Sequence, residues 1–337
     1  MPEVTAEKYL GDVLCSDGKN TKNIKNRISK GLGIIAQIMN ILDEVNFGPH
    51  YFEIALLLRE SMLINGITTN AEIWYNFTQN EVQEFENLDK LFLRRILRVP
   101  KSTPTESFYL ETGAIPVGII IQSRRLNYLH RILRSDKSGM LYRFFIAQWN
   151  NPSKGDWTEL VKSDLEEFEL SMHFNDITSK TKDAFKKIVK AKAKDIAFRK
   201  LLKMKNEHTK MSNLEYEELK IQNYFLREEL KIEQKRTLFK YRTRMAEYGE
   251  NFRAGRAQVM CPLCNLHLDS QVLGYKCPVL TTLIRIEGKY EEIYEENTTI
   301  ETIETLERIT IFRKETTLPL GAQVTHCSLQ NTGAARS

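Results

Sequence analysis

The chain has 337 residues, 42% hydrophobic and 28% charged, with 49 Lys and Arg against 44 Asp and Glu for a net charge of +5. This composition is sufficient for buried cores and excludes wholesale disorder, and the length predicts two or three domains. No apolar stretch approaches the roughly 18–20 residues of a membrane span, and the N-terminus lacks the features of a signal peptide. We therefore expect an intracellular protein, nuclear or cytoplasmic, without a membrane partner.

The first predicted element is a strand. Residues 9–14 alternate loosely and contain strand-favouring side chains, and Ser16, Asp17 and Gly18 behind them form a turn signal. We expect this strand to be one arm of a hairpin whose partner is absent or lies upstream.

Helices are predicted from Asn20 onward, so the fold class is mainly α. The first helix has an apolar stripe at spacings of three and four residues. The stripe consists of Ile24, Ile28, Leu32, Ile35, Met39 and Leu42. Residues 51–64 predict a second, more buried helix, and Thr78 with Glu81 forms a capping box that opens another. Residues 150–156 look like a linker.

Charge is unevenly distributed along the second half of the chain. Residues 180–210 contain twelve Lys or Arg against three acidic residues, and a second basic group at 235–244 surrounds three apolar or aromatic residues. Residues 286–313 are instead acidic and predict a helical tail, followed by a disordered end from Thr317.

The most specific local signal is Cys261 and Cys264, which are separated by two residues. Two thiols at this spacing can occupy adjacent corners of a tetrahedral zinc site, and Cys277 and His267 are candidates for the other two ligands. Zinc is the favoured cofactor. The alternatives are a pair of ordinary thiols with an incidental histidine, and a redox pair, which would need a βαβ context that the sequence does not predict.

The basic clusters favour contact with nucleic acid, because Lys and Arg neutralise phosphates and interleaved aromatic residues stack on bases. The alternative is that they are solvated helix faces, as lysine-rich helices usually are. The candidate contact residues are Lys22, Lys25, Arg27, Lys30, Arg124, Arg125, Lys186, Lys190, Lys194, Arg242 and Arg244.

Sequence motifs for catalysis are absent. The chain has no Tyr-x-Asp-Asp pair, no phosphate-binding GxxxxGK[ST] loop, no HExxH and no GxSxG. We therefore expect no catalytic residue and no enzymatic activity from this chain alone.

The order of several short segments resembles the C-terminal part of non-LTR (LINE-type) retrotransposon reverse transcriptases. The resemblance covers about residues 9–279. The segments are Tyr9-Leu10-Gly11 with Ser16-Asp17-Gly18, a basic thumb-like helix with Arg27 and Gly31, Asn70 to Tyr75, Leu88-Asp89, Leu93 to Leu97, Ser102-Thr103-Pro104, Tyr109-Leu110-Glu111, Arg124-Arg125-Leu126 and Tyr128-Leu129-His130. Cys261 to Cys264 with Asp269-Ser270-Gln271 and Cys277-Pro278 is similar to the CCHC knuckle of that family.

The resemblance implies five segments. They are a primer-grip-like hairpin remnant (1–18), a thumb-like helical domain (19–150), a basic helical domain (151–256), a CCHC-like zinc knuckle (257–280), and the acidic tail with a disordered end (281–337). The position of the usual knuckle histidine, shortly after Gln271, is taken to be Leu273, so the knuckle is expected to be degenerate with His267 as substitute.

The implied function is binding of RNA, DNA or an RNA–DNA hybrid by a fragment whose catalytic palm would lie upstream of Met1. The palm is then one expected partner. The alternatives are an element-derived protein that acts through protein contacts, with the acidic tail as the contact surface, and a non-functional relic.

Overall fold

The structure is a computed structural model that describes residues 5–9, 11–75, 77–207, 209–252 and 259–316. The chain forms two compact units. The first extends to Thr209 and includes Tyr216–Glu228, and the second contains Lys210–Glu215 and the chain from Glu229 onward. Both units are built mainly from helices, as the sequence predicts.

The first unit begins with a complete hairpin. Strands β1 (Ala6–Tyr9) and β2 (Asp12–Cys15) pair antiparallel, with Tyr9 opposite Asp12. Of the two expected alternatives, an upstream partner is the correct one, and it lies immediately upstream. The predicted single strand over residues 9–14 is wrong in its bounds, because Tyr9 is the last residue of β1 and residues 12–14 belong to β2. Gly11 has a φ of +91°. A residue with a Cβ rarely adopts that conformation, so glycine permits this tight turn.

Helices dominate the rest of the first unit, with a short 3-10 turn (Gly48–His50) between the first two of them. In chain order they are α1 (Thr21–Glu44), α2 (Tyr51–Leu58), a π-helical segment (Arg59–Ile64), α3 (Asn65–Ile67), a 3-10 turn (Ala71–Ile73), α4 (Gln79–Leu97), α5 (Thr105–Thr112), α6 (Val117–Leu133), α7 (Met140–Asn150), α8 (Trp157–Glu167), α9 (Phe174–Thr178), α10 (Lys182–Asn206) and α11 (Asn223–Leu226). The predicted capping box at Thr78 and Glu81 is present at the start of α4.

The buried face of α1 is rotated from the predicted stripe. Leu32 is 47% exposed, whereas Gly31 is buried against α4. A Cβ at Gly31 would lie 2.3 Å from Cδ2 of Leu88. The missing side chain therefore lets the two helices approach closely at this point, which places Gly31 rather than Leu32 on the contact face.

The long basic helix α10 is part of the first unit. It packs on α5 and α6, and α7 and α8 also pack on α6. The buried residues of α10 include Phe185, Val189, Ala193, Ile196, Ala197 and Leu201. The chain thus divides near Thr209 instead of at the predicted boundary between residues 150 and 151, because the apolar face of α10 is buried against helices that precede that boundary.

The second unit has a core formed by short helices and one long one. They are α12 (Ile232–Arg242), α13 (Gly249–Phe252), α14 (Gln271–Tyr275), α15 (Pro278–Leu283), a 3-10 turn (Tyr290–Tyr294) and α16 (Ile300–Thr316). Helix α16 packs on α12 and buries Ile303, Leu306 and Ile309 completely. The acidic segment is therefore a structural helix of this unit rather than a tail, with Glu301 and Glu304 on its exposed side. The predicted disordered end, from Thr317, lies outside the described residues.

Over the part of the chain that the structure describes, every helix is too short or too polar to cross a bilayer.

Candidate functional site

The Cys261–Cys264 pair lies at the end of a short ribbon in the second unit. Met260 and Leu268 form an isolated antiparallel bridge, and the N–H of Cys261 donates to the carbonyl of His267 at 2.7 Å. The turn closes when the N–H of Asn265 donates to the carbonyl of Cys261 at 2.9 Å, with Asn265 in the left-handed region at φ +51°. This turn brings the side chains of Cys261 and Cys264 close together.

Cys277 approaches these two cysteines from the segment between α14 and α15. The hydroxyl of Ser270 caps α14 by accepting from the N–H of Leu273 at 3.1 Å, and Cys277 is the residue before α15. The sulfurs of Cys261, Cys264 and Cys277 all lie within 4.8 Å of one another. Thiolates on a tetrahedral zinc lie about 2.3 Å from the metal and so about 3.8 Å from one another. The three sulfurs therefore fit a metal ion such as zinc.

The surroundings favour a thiolate at Cys264. Hydrogen bonds from the backbone N–H groups of Leu266 and His267 lower the pKa of its thiol, the first of them at 3.5 Å from Sγ. Burial instead raises the pKa of Cys277. A bound cation would offset that effect, because the thiolate is the form that a metal stabilises.

His267 is exposed and is not part of the group of converging ligand atoms. Among the described residues, that group contains the three cysteines and no histidine or carboxylate. The role of His267 as the fourth ligand therefore stays a prediction. Leu273, at the expected position of the family histidine, is half-buried on α14, and a leucine offers no ligand atom.

Two polar residues between Cys264 and Cys277 attach the cysteine group to the rest of the second unit. Asp269 accepts hydrogen bonds from Arg313 at 2.8 Å and from the N–H of Gly249 at 2.6 Å. Gln271 donates to the carbonyl of Tyr241 at 3.0 Å. Sequence reasoning missed these roles because Arg313 lies 44 residues from Asp269 in the chain. The only sequence signal is the Asp-Ser-Gln string itself.

A basic cleft lies in the first unit, between α6 and the start of α10. It has a volume of about 700 Å³. Its lining residues are Glu72, Arg124, Asn127, Tyr128, His130, Arg131, Arg134, Ser135, Lys182 and Lys186. Five of these side chains are cationic and only Glu72 is acidic. This group is called the basic cleft below.

Two of its arginines are held by the fold. Arg124 donates to the carbonyl of Thr68 at 3.1 Å, and Arg134 donates to the carbonyl of Thr178 at 3.0 Å. Burial lowers the pKa of Arg124, and Glu72 partly offsets this effect. A neutral carbonyl partner does not cancel the charge of a guanidinium, so both arginines still attract anions.

The other cations of the basic cleft are exposed. Arg131, Lys182 and Lys186 have no carboxylate within ion-pair distance among the residues that the structure describes. The guanidinium of Arg131 lies 5.8 Å from the ring centroid of Tyr128. Arg124 and Lys186, which the sequence placed in separate domains, thus line one cleft.

Three predicted contact residues are buried within the fold. Arg27 pairs with Asp12 at 2.8 Å, and Arg125 pairs with Asp164 at 2.5 Å. Arg242 donates to the carbonyl of Ile293 at 2.7 Å. A buried guanidinium with such partners cannot reach a phosphate in this conformation, so we leave these residues out of the binding surface.

The remaining predicted contact residues lie outside the basic cleft. Four of them are exposed, and these are Lys22, Lys25 and Lys30 on α1 and Lys190 on α10. Lys194 is half-buried and pairs with Glu218 at 2.9 Å, and Arg244 pairs with Glu250 at 3.2 Å. These positions stay predictions.

Comparison with known proteins finds no matching family model, no matching curated protein and no matching solved structure. The resemblance to reverse transcriptases therefore depends on the sequence segments alone.

Proposed function

We propose that this chain binds RNA or an RNA–DNA hybrid through the basic cleft, with little dependence on base sequence and without catalysis of its own. The observation that carries the proposal is the charge of the cleft, where five cationic side chains face one carboxylate. Phosphates that enter such a cleft release condensed counterions, which drives binding in low salt.

The sequence resemblance supports the wider proposal that the chain is the C-terminal nucleic-acid-binding part of a non-LTR retrotransposon reverse transcriptase. In that case an upstream palm domain supplies the polymerase activity. The metal centre supports the same proposal as a zinc knuckle, with Cys261, Cys264 and Cys277 as ligands and His267 as the predicted fourth.

The test is fluorescence anisotropy with a labelled RNA–DNA hybrid and the purified chain at two salt concentrations. We expect salt-dependent binding, and we expect Arg131→Gln with Lys186→Gln to weaken it about 10-fold at low salt, because two phosphate contacts are lost. The same double variant should also flatten the dependence of the affinity on salt.

The matched control is Lys101→Gln with Lys289→Gln, which also removes two positive charges, from exposed positions outside the cleft. It should change the affinity less than about 3-fold, since only the long-range field is altered. Equal losses in the two double variants would mean that the cleft is not the binding surface. No binding by the unaltered chain at low salt would remove the proposed function altogether.

A further inference from the structure

A group of exposed apolar side chains lies beside the basic cleft. Ile73, Leu141 and Phe144 are 49%, 46% and 68% exposed. They line one depression of about 420 Å³ together with Tyr128 and Trp157. These five residues are called the apolar shelf. Large apolar side chains that are exposed together on a protein surface usually mark a site of contact with another molecule.

The apolar shelf and the basic cleft are continuous. Tyr128 lines both of them. In addition, the indole N–H of Trp157 on the shelf donates to the carbonyl of Glu72, a residue of the cleft, at 2.7 Å. A ligand that occupies the cleft therefore meets the shelf next to it.

The aromatic side chains in and beneath the apolar shelf are held in place by their packing. The ring of Trp157 contacts Tyr128 edge to face at 5.8 Å and Phe145 at 6.2 Å between centroids. Phe145 is buried and also packs on Phe174 at 5.6 Å. Phe144, the residue before Phe145 on α7, is the most exposed of the shelf side chains. Packed aromatic rings with one exposed ring, Phe144, provide a surface on which a planar group can stack.

We propose that the apolar shelf contacts the bases of a single-stranded nucleic acid whose phosphates lie in the basic cleft. This inference rests on the proposed function and narrows its substrate class. A duplex presents phosphates outward and keeps its bases stacked inside, so it can fill the cleft but cannot use the shelf. A single strand offers both groups, and base–aromatic stacking is tolerant of sequence.

Charge and apolar area together favour this occupant over a protein segment. The five cationic side chains of the cleft favour a ligand with several negative charges, and the exposed apolar side chains of the shelf favour planar or apolar groups next to those charges. A nucleic acid strand supplies one phosphate and one base in every unit, and therefore matches both surfaces along its length.

The test compares oligo(U), oligo(dT), an abasic oligodeoxynucleotide and an RNA–DNA hybrid, each of about 20 nucleotides, in anisotropy titrations at low salt. We expect oligo(U) and oligo(dT) to bind about 10-fold more tightly than the abasic strand, because only they provide bases to stack. Phe144→Ala should remove that advantage and leave the affinity for the abasic strand unchanged.

Two further variants serve as controls. Phe144→Trp should keep the advantage, because the larger ring can still stack. Leu57→Ala, at a residue that is 61% exposed on α2, should change nothing. An unchanged thermal midpoint for Phe144→Ala would show that the effect does not come from unfolding.

The outcomes separate this inference from the proposed function. If Phe144→Ala binds all four probes like the unaltered chain, while Arg131→Gln with Lys186→Gln binds them all more weakly, then phosphate binding holds and the shelf inference fails. If no probe binds at low salt, both fail. A change in molecular mass in sedimentation for Phe144→Ala, without a change in affinity for any probe, would assign the shelf to protein contact and overturn the inference.

Discussion

At Asp89, one carboxylate joins three elements of the first unit. Its two oxygens accept from Nε and Nη2 of Arg59, each at 2.6 Å, and one of them also accepts from the hydroxyl of Tyr109 at 3.0 Å. Burial alone would lower the pKa of Arg59, but the charge of Asp89 raises it above its ordinary value. Arg59 also donates to the carbonyl of Ile115 at 2.9 Å. The Arg59–Asp89 pair is fully buried, so each of the two charges is stabilised by the other and would be costly to leave alone.

We expect Asp89→Ala to lower the free energy of unfolding by about 3–5 kcal/mol, because it leaves the buried Arg59 guanidinium without its counter-charge. Urea unfolding followed by circular dichroism measures this. Glu84→Ala, at an exposed position on the same helix, should stay within about 0.5 kcal/mol of the unaltered chain. A loss below about 1 kcal/mol for Asp89→Ala would contradict the importance of the pair.

Among the elements, the N-terminal hairpin shows how a weak local structure is held by its neighbours. A two-stranded hairpin is marginal in water on its own. Here Asp12 accepts from Arg27 at 2.8 Å and from Asn23 at 2.9 Å, both on α1, and from Asn70 at 2.7 Å. Burial by itself raises the pKa of Asp12, but these hydrogen bonds together hold it below the ordinary value of 3.8.

Because the folded state has the lower pKa, Asp12 contributes stability at pH values above 3.8, and that contribution is lost as the pH falls through the folded value. We expect Asp12→Asn to cost about 2 kcal/mol at pH 7. The difference from the unaltered chain should shrink below about pH 4, measured as unfolding free energies across pH. Asp43→Asn, at an exposed position on α1, is the control and should show no such convergence.

For the whole molecule, a metal ion at the three cysteines would connect distant parts of the second unit. The ribbon before α14 carries two of the sulfurs, Cys277 precedes α15, and Asp269 ties the ribbon to Arg313 on α16. Metal binding that requires this arrangement adds its free energy to folding.

We expect added zinc to raise the thermal midpoint of the chain and a chelator to lower it. Cys264→Ser should weaken zinc binding more than about 100-fold, since the loss of a direct ligand exceeds the effect of an outer partner. Competition with a chromophoric chelator measures this affinity. Cys15→Ser, in the hairpin, is the matched control and should bind like the unaltered chain.

The same titration tests the fourth ligand. His267→Ala should weaken zinc binding about as much as Cys264→Ser if the predicted CCHC set is correct. An unchanged affinity would mean that the ion is held by three thiolates and a ligand other than His267. No zinc binding by the unaltered chain would remove the metal centre from the proposal.

Much of the local structure was predictable because it depends on neighbours in the sequence. The Thr78–Glu81 capping box and the long helix α1 follow from patterns within a few residues. In the cysteine group, the spacing of Cys261 and Cys264 was informative for the same reason, and the sulfur of Cys277 lies close to theirs as predicted.

The sequence by itself determined the helical class, the cysteine group and the excess of basic residues, since all three are properties of composition and short spacing. Only the tertiary structure decided which charged side chains line a surface cleft and which are paired inside the fold. Arg124 lines the basic cleft while its neighbour Arg125 is buried against Asp164, 39 residues away. Which of two adjacent arginines turns inward depends on the helix face that its partners cover, and those partners come from distant parts of the chain.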